Sequence, residues 1–560
     1  MSLQRPDGAS VEMLPAATRI DFAELSTLSE LLASAFVAPG DLVGGSIRVD
    51  YTNAEIYVES GGGVVLAEAV DDAGAPLGVV DLQIELDDRE RLVITRGRTA
   101  FLSIDFDLAA SHDVDLGFTP ARVTTRPYLS AEVRPLDEKE LRVRGPLVDV
   151  DTTAGTYDIR VRPWHRRDGD FGTFTVYTTP TTTFEIGDAS YTGAPGLTAL
   201  ESLGAGALTV AFGTLDVTNR QFTAEIVHAG DSVGGDRFSA VHGNVVARSG
   251  DTLTVKGALA VHRDRPAHYR RTVLVEIGDN TRVSKVGDAM AAFDKDDISV
   301  GQRIVAFGQF TNPQVASDDP LGPDIALILD ATQGRVRMLV TRLHGTVNSV
   351  VPGQLNMRLR GIDRLGIDLF HFAGTGVNAM ADADPLDYEV ATGTLALNAL
   401  EVDKPARVFG FVTPFGEAPP DFIGRTVVDH RDIPAALGIG WGLAGTATPF
   451  SSMNPTGLVL DMSNPQIGGR HHLLLGRELV DLFDLAGPAT IAPAGTRGLY
   501  GIWEPGHIEQ FADFADFHDE VVNRLGAGSN AQALAAYGTF DESSLTLSAR
   551  KVFVHMTLAP

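Results

Sequence analysis

A short strand that ends in Phe-Gly recurs along this chain: TVAFGTL at Thr209–Leu215, IVAFGQF at Ile304–Phe310 and ARVFGFV at Ala406–Val412. A fixed period constrains the fold more than any single motif, because each copy must be one supersecondary unit packed on the next. The copies lie roughly 100 residues apart, and each follows an opening strand that carries a glycine. The openers are LRVRGPLVDV at Gly145, SAVHGNVVAR at Gly243, TRLHGTVNSV at Gly345 and GLAGTATPF at Gly445. Each opener passes through a turn rich in Gly, Asp, Asn or Pro into a second alternating strand, which is the pattern of a hairpin. The closers are Phe212-Gly213, Phe307-Gly308, Phe409-Gly410 and Tyr537-Gly538. A glycine inside a strand marks a bulge or a sharp bend, which a small barrel needs at its corners. The aromatic beside it reads as a core residue.

The fold class that follows is all-β. An N-terminal antiparallel β-sandwich is expected over residues 44–136, where runs such as GSIRVDYTNAEIYVE and TAFLSIDFDL alternate between polar and apolar residues. Four small OB-like β-barrel modules are expected at 137–236, 237–341, 342–440 and 441–560. Residues 1–43 read as a leader with one helix over DFAELSTLSELLASAF, Asp21 serving as its N-cap. The fourth module is longer than the others, and HIEQFADFADFHDEVVNRLG supplies the excess as an inserted amphipathic helix ended by Gly526. Ile508, Phe511, Phe514, Ala515, His518, Val521, Val522 and Leu525 fall on one face of it.

At 560 residues the chain is too long for one hydrophobic core, which agrees with several modules. Acidic residues outnumber basic ones, 73 to 45, giving a formal charge of −28, so a phosphate backbone is repelled and nucleic acid is not an expected partner. No stretch approaches the ~18 uninterrupted apolar residues of a transmembrane helix. The absence of cysteine excludes disulfides, thiolate metal sites and a cysteine nucleophile, without choosing a compartment. The opening MSLQRPDGAS lacks the basic-then-apolar order of a signal peptide.

Two stretches are similar to known families. FLSIDFDLAASHDVDLGFTPARVTTRPYLSAEVRP, with Asp105-Phe106-Asp107, Ser111 and Pro127-Tyr128-Leu129, resembles the end of a β-sandwich domain of unknown function found in bacterial envelope lipoproteins. TTTFEIGD, NTRVSKVGD, ISVGQRIVAFGQF and LGAGALTVAFGTL resemble a second family of unknown function, small barrel-like domains that occur in tandem in exported bacterial proteins. The resemblance covers about residues 45–430, and residues 441–560 more weakly. It implies a periplasmic or cell-surface protein whose signal or lipid anchor lies outside the given chain. Neither family supplies a catalytic residue.

Candidate sites are few. RPWHRRDGDFGTFTVY gathers Trp164, Arg166, Arg167, Phe171 and Tyr177, the one local basic-aromatic patch, and barrel faces of this kind bind sugars or single strands by stacking. A hairpin tip with core aromatics is the competing account. Asp294, Asp296 and Asp297 in FDKDD offer oxygens that a weak calcium site would use, although solvated turns explain them too. His471, His507 and His518 form the densest histidine group and would serve a metal, but no zinc-binding spacing is present. GDSVG at Gly230–Gly234 has the spacing of a nucleophile elbow without the helix that such an elbow needs.

The function expected from these features is a non-enzymatic scaffold or binding protein of the bacterial cell envelope, with an envelope protein or glycan as partner and no cofactor. One alternative is a carbohydrate-binding or carbohydrate-processing protein with its site in the fourth module. A calcium-stabilised adhesin is another.

Overall fold

The computed structural model describes the chain except for residues 27, 61–62, 88–90, 137–138, 164–168, 188, 236, 264–266, 289–291, 312–326, 431–432, 477 and 559–560. The fold is all-β with small barrels in tandem. Barrel 1 uses Glu140–Asp151, Thr156–Arg160, Thr173–Tyr177, Leu208–Asp216 and Gln221–Ala229 as its first to fifth strands. Barrel 2 uses Ser239–Ser249, Thr252–Val261, His268–Glu276, Arg303–Phe310 and Leu327–Leu339. Barrel 3 uses Thr341–Val351, Gln354–Ile362, Tyr388–Ala391, Pro405–Val412 and Phe422–Val428.

In each of these the first three strands form a meander, the first strand pairs with the fourth, and the fourth with the fifth. A parallel pairing of third with fifth strand closes the ring: Val273–Glu276 on Leu327–Asp330 in barrel 2, Val390–Ala391 on Phe422–Ile423 in barrel 3, and Tyr177 on Thr223 in barrel 1. This Greek-key order is the OB arrangement. Alternation supplies the cores: in Thr173–Tyr177, for example, Phe174 and Val176 point inward while Thr173, Thr175 and Tyr177 point out.

The recurring glycine has a common position. Gly213, Gly308, Gly410 and Gly538 each oppose the start of their barrel's first strand, at Leu141, Ser239, Thr341 and Ala435. Each lies at a register shift between fourth and fifth strands. A Cβ there would be driven into the backbone carbonyl of Thr223, Asp330, Ile423 or Ser548 on the fifth strand, so the close approach demands glycine. The aromatic beside it is not a barrel-core residue, contrary to the expectation. Phe212, Phe307, Phe409 and Tyr537 fall between the inward-facing positions and meet neighbouring groups outside: His228 edge-on to Phe212, Arg335 over Phe307 and Arg342 over Phe409. Strand alternation makes this unavoidable, because the preceding residue, Ala211, Ala306, Val408 or Ala536, already points inward.

The fourth barrel departs from its expected boundaries. Its first strand begins at Ala435, ahead of residue 441, and is broken into Ala435–Gly440 and Phe450–Asn454. Gly457–Leu460, Thr490–Pro493, Ala531–Asp541 and Thr546–Met556 follow as second to fifth strands. Register places Ile439, not Gly445, in the position of Gly145, Gly243 and Gly345. A Cβ at Gly145 or Gly345 would meet a carbonyl of the second strand, whereas His471 of a separate hairpin lies beside Ile439, and a side chain fits.

The helix of barrel 4 is Phe514–Gly526, capped by Asp513, and His507–Phe511 before it is a strand. That helix is not an insertion. It lies between a hairpin and the fourth strand, as Ala194–Leu203 does in barrel 1. Phe514, Phe517 and Val521 cover the barrel core. The extra length is instead the hairpin His471–Leu475 and Glu478–Asp481, between second and third strands.

The units close on one another. Barrel 2 sends Arg335 and Arg337 to the Gly187 carbonyl and the Glu185 carboxylate of barrel 1. Barrels 2 and 3 exchange core residues: Phe411 enters the core of barrel 2, and Val246 and Val300 that of barrel 3. Lys404 of barrel 3 meets Glu542 of barrel 4 at 2.6 Å. Strand His507–Phe511 of barrel 4 pairs in parallel with Val79–Glu85 of the N-terminal unit, so one 14-stranded sheet joins the two ends of the chain. The N-terminal unit completes the circuit on barrel 1 through Lys139 to Asp105 at 3.3 Å and Phe101 against Phe174.

Candidate functional site

The five units surround a central cavity of about 3920 Å³, lined from every one of them. Residues 13–39 run through it. This stretch leaves and returns to the same N-terminal sheet, where Ser2–Gln4 pairs with Gly44–Ser46 and Met13 N donates to Met1 O. The expected helix over Asp21–Phe36 stops after a single 3-10 turn, Phe22–Ser26, capped by Asp21. Leu28–Glu30 then becomes a strand that pairs in parallel with Glu140–Arg142 of barrel 1. Pairing and two buried carboxylates win over helix propensity here, a tertiary override of a weak local preference.

Those carboxylates anchor the stretch to barrel 1, and Glu30 is part of the cavity lining. Glu24 Oε1 accepts from Arg142 Nη1 at 2.9 Å, and Glu30, fully buried, accepts from Arg142 Nε and from Arg144 Nη2 at 3.1 Å. Burial pushes the Glu24 carboxyl up, but the Arg142 charge and hydrogen bond, helped by Arg144, outweigh it and hold the group well below the usual carboxylate range. Burial likewise weakens the Arg142 cation, and Glu30 and Glu24 more than restore it. Nearby, His242 is kept neutral, its pKa brought down to about 3 by burial and by Arg303, whose Nε lies 3.1 Å from His242 Nε2. The 3-10 turn is pinned from three further sides: Arg364 of barrel 3 donates to Ala23 O, Lys139 to Leu25 O at 3.2 Å, and Phe106 stands edge-on to Phe22 at 4.7 Å.

Of the basic-aromatic patch, Phe171 meets this stretch. Trp164, Arg166 and Arg167 lie outside the described residues. Phe171 is buried in the core of barrel 1, and its carbonyl accepts from Ser34 N at 2.8 Å. Tyr177 is partly exposed at the end of the third strand. Phe171 and Tyr177 are thus divided between core and surface, and the two do not form one stacking face.

The metal candidates are not brought together. Asp294 and Asp297 form a capping box around Lys295–Asp297, and Asp296 meets Arg248 at 3.1 Å. His471 stands 3.4 Å from Asp481 on the extra hairpin, His507 lies on the strand His507–Phe511, and His518 is buried in the helix with Nδ1 2.9 Å from Asp519. Among the described residues no three His, Cys, Asp or Glu side chains gather as a metal site. Three carboxylates of the fourth module converge on one cation: Glu504, Glu509 and Glu520 all meet Arg524. Ser232 of GDSVG is buried and donates to Gly187 O at 3.0 Å.

Sequence reasoning passed over Glu24, Glu30, Arg142 and Arg144. The available signal was LRVRG, where two arginines two apart share one strand face, the outer face once Leu141 and Val143 are core. Comparison with known proteins found no matching family model, and neither curated proteins nor solved structures gave a match.

Proposed function

We propose that this is a non-enzymatic binding protein, a scaffold of the bacterial cell envelope that holds its ligand in the central cavity. The carrying observation is the cavity itself, about 3920 Å³ and lined from all five units. A ligand there touches every unit at once, which uses a closed array as repeat proteins use an extended surface. The resemblance of the N-terminal sandwich region to a domain of envelope lipoproteins, and of the repeats after it to tandem domains of exported bacterial proteins, supports the location.

The test is retention from envelope extract by the immobilised full chain, with bound proteins and glycans read together. Thr214→Trp with Thr539→Trp, both on exposed positions of the cavity wall, narrows the space without touching a core. A species retained by the original chain and lost by this variant supports the reading. Equal retention by both, or none by either, refutes it.

A further inference from the structure

The first strand of an OB-type barrel bends, so that its first half pairs with the fourth strand on one side and leaves the other edge without an obligatory partner. An open edge of this kind is a template for another chain. In barrels 2 and 3 the second strand runs on and covers it: Ala240–His242 pairs with Leu259–Val261, and Leu343–His344 with Gly361–Ile362. In barrel 4 the extra hairpin covers it, Leu475 to His471 lying beside Ala435 to Ile439. All three covers are antiparallel and belong to the barrel itself. Barrel 1 differs: the chain leaving its second strand covers the edge only as far as Arg144, whose carbonyl accepts from Arg162 N at 2.9 Å, and residues 140–142 are covered by Leu28–Glu30, in parallel, from more than a hundred positions away.

That cover is a light one. Among the described residues of 13–39 the regular elements are a 3-10 turn and a three-residue strand, although loops beyond ~12–15 residues without structure of their own are usually functional or disordered. Phe36, near the end of the stretch, is fully exposed. The charged anchor of the stretch, beside the main-chain pairing and the contacts of Phe22, Ala23 and Leu25, is Glu24 and Glu30 on Arg142 and Arg144. Simple release would strip two buried arginines of the Glu24 and Glu30 carboxylates, which is strongly unfavourable. Exchange for another extended segment bearing carboxylates keeps them paired. The chemistry of the cover therefore specifies the chemistry of its competitor.

We propose that the first-strand edge of barrel 1 at residues 140–142, with the Arg142 and Arg144 side chains, is a docking groove for an extended acidic segment of a partner polypeptide, and that Leu28–Glu30 with Glu24 fill it in cis. Binding is by strand addition: three or more main-chain pairs supply affinity, and the arginine pair selects carboxylates spaced like Glu24 and Glu30. The inference rests on the binding-protein reading and names its partner class.

The test uses the full-length protein and a fluorescein-labelled peptide of residues 18–34, TRIDFAELSTLSELLAS, as the probe. Glu24→Gln with Glu30→Gln weakens the tethered copy and leaves the groove intact. The peptide is expected to bind this variant at least ten-fold more tightly than the original chain, by fluorescence anisotropy. A peptide with glutamine in place of Glu24 and Glu30 is expected not to bind, and adding Arg142→Gln and Arg144→Gln to the variant is expected to abolish binding.

Equal affinity for variant and original chain, or no binding to either, overturns the proposal. A protease site placed after the exposed Phe36 and cut in the folded protein gives a second arm that does not depend on the variant folding. Peptide uptake after the cut supports the groove, and no uptake overturns it. A failed peptide experiment alongside ligand loss in the Thr214 and Thr539 variant would leave the cavity reading standing.

Discussion

Alanine at Gly213, Gly308, Gly410 or Gly538 forces a choice between a steric clash and a broken ladder. Each added methyl would lie inside 3.0 Å of a backbone carbonyl on the adjacent strand, and backbone cannot swing aside as a side chain does. Restoring ordinary contact requires the fourth and fifth strands to part by on the order of 1 Å, beyond what a good N–H···O bond tolerates. Overpacking of this kind costs about 1–3 kcal/mol. Losing one or two ladder bonds adds about 0.5–1.5 kcal/mol each, so each substitution is expected to cost about 2–5 kcal/mol in all.

The assay is amide hydrogen exchange of the affected barrel, which reports local stability in a multi-unit chain where one global unfolding value is ill-defined. Gly526→Ala is the control. That glycine ends the Phe514–Gly526 helix with open space around its missing Cβ, so alanine is expected to be neutral or to stabilise by up to ~1 kcal/mol. If two or more of the four alanines cost under about 0.5 kcal/mol while the control behaves, the shared-bulge argument is wrong.

Other sites offer sharper chemistry. His555 is fully buried against Trp503 and Tyr128, and burial, with Arg126 and Arg470 nearby, brings its pKa down to about 3. A base depressed on folding stabilises above its unfolded value, 6.5, and loses that contribution as pH falls toward 3; His555→Leu is expected to flatten the stability profile across this window. Burial raises the Glu185 carboxyl, but its hydrogen bond with His228 and the Arg337 charge bring it to about 2. Its contribution is therefore present above 4.5 and lost between 4.5 and 2, and Glu185→Gln is expected to remove that acid loss at the contact of barrels 1 and 2. Tyr537→Phe strips buried Asp107 of a 2.6 Å donor, at an expected cost of about 1–3 kcal/mol read by exchange of the Val79–Glu85 strand. Because Asp294, Asp296 and Asp297 are engaged with backbone amides and Arg248, the Tm is expected to be equal in calcium and in chelator; a shift of several degrees would refute that assignment.

The barrels were legible because their information is local and periodic. Period-2 runs, turn residues and a glycine every barrel's length mark strands whether or not the neighbours are known. The same locality misled at Asp21–Phe36, where leucines at helical spacing hide a strand whose partner, Glu140–Arg142, is far away in sequence. It misled again at Gly445, because a break in the first strand moved the equivalent position to Ile439 without leaving a mark in the residues. Phe-Gly was right about the glycine and wrong about the aromatic: hydrophobicity does not say which face of a strand a residue takes when both faces are covered. The buried charge pair was invisible for another reason, since Glu24 and Arg142 lie far apart in sequence and meet only when the N-terminal stretch packs on barrel 1.

The joining of Val79–Glu85 to His507–Phe511 has a consequence for biosynthesis. At about 5–20 residues per second, the ribosome needs on the order of 20–80 s to make the partner after the first strand has emerged. Each barrel can fold as it is completed, but the early sheet waits with a bare edge, a known invitation to intermolecular pairing. Expression yield should therefore depend on whatever shields that edge during synthesis, and a chain halted before residue 507 should be recognised by proteases as unfinished however sound its finished barrels are.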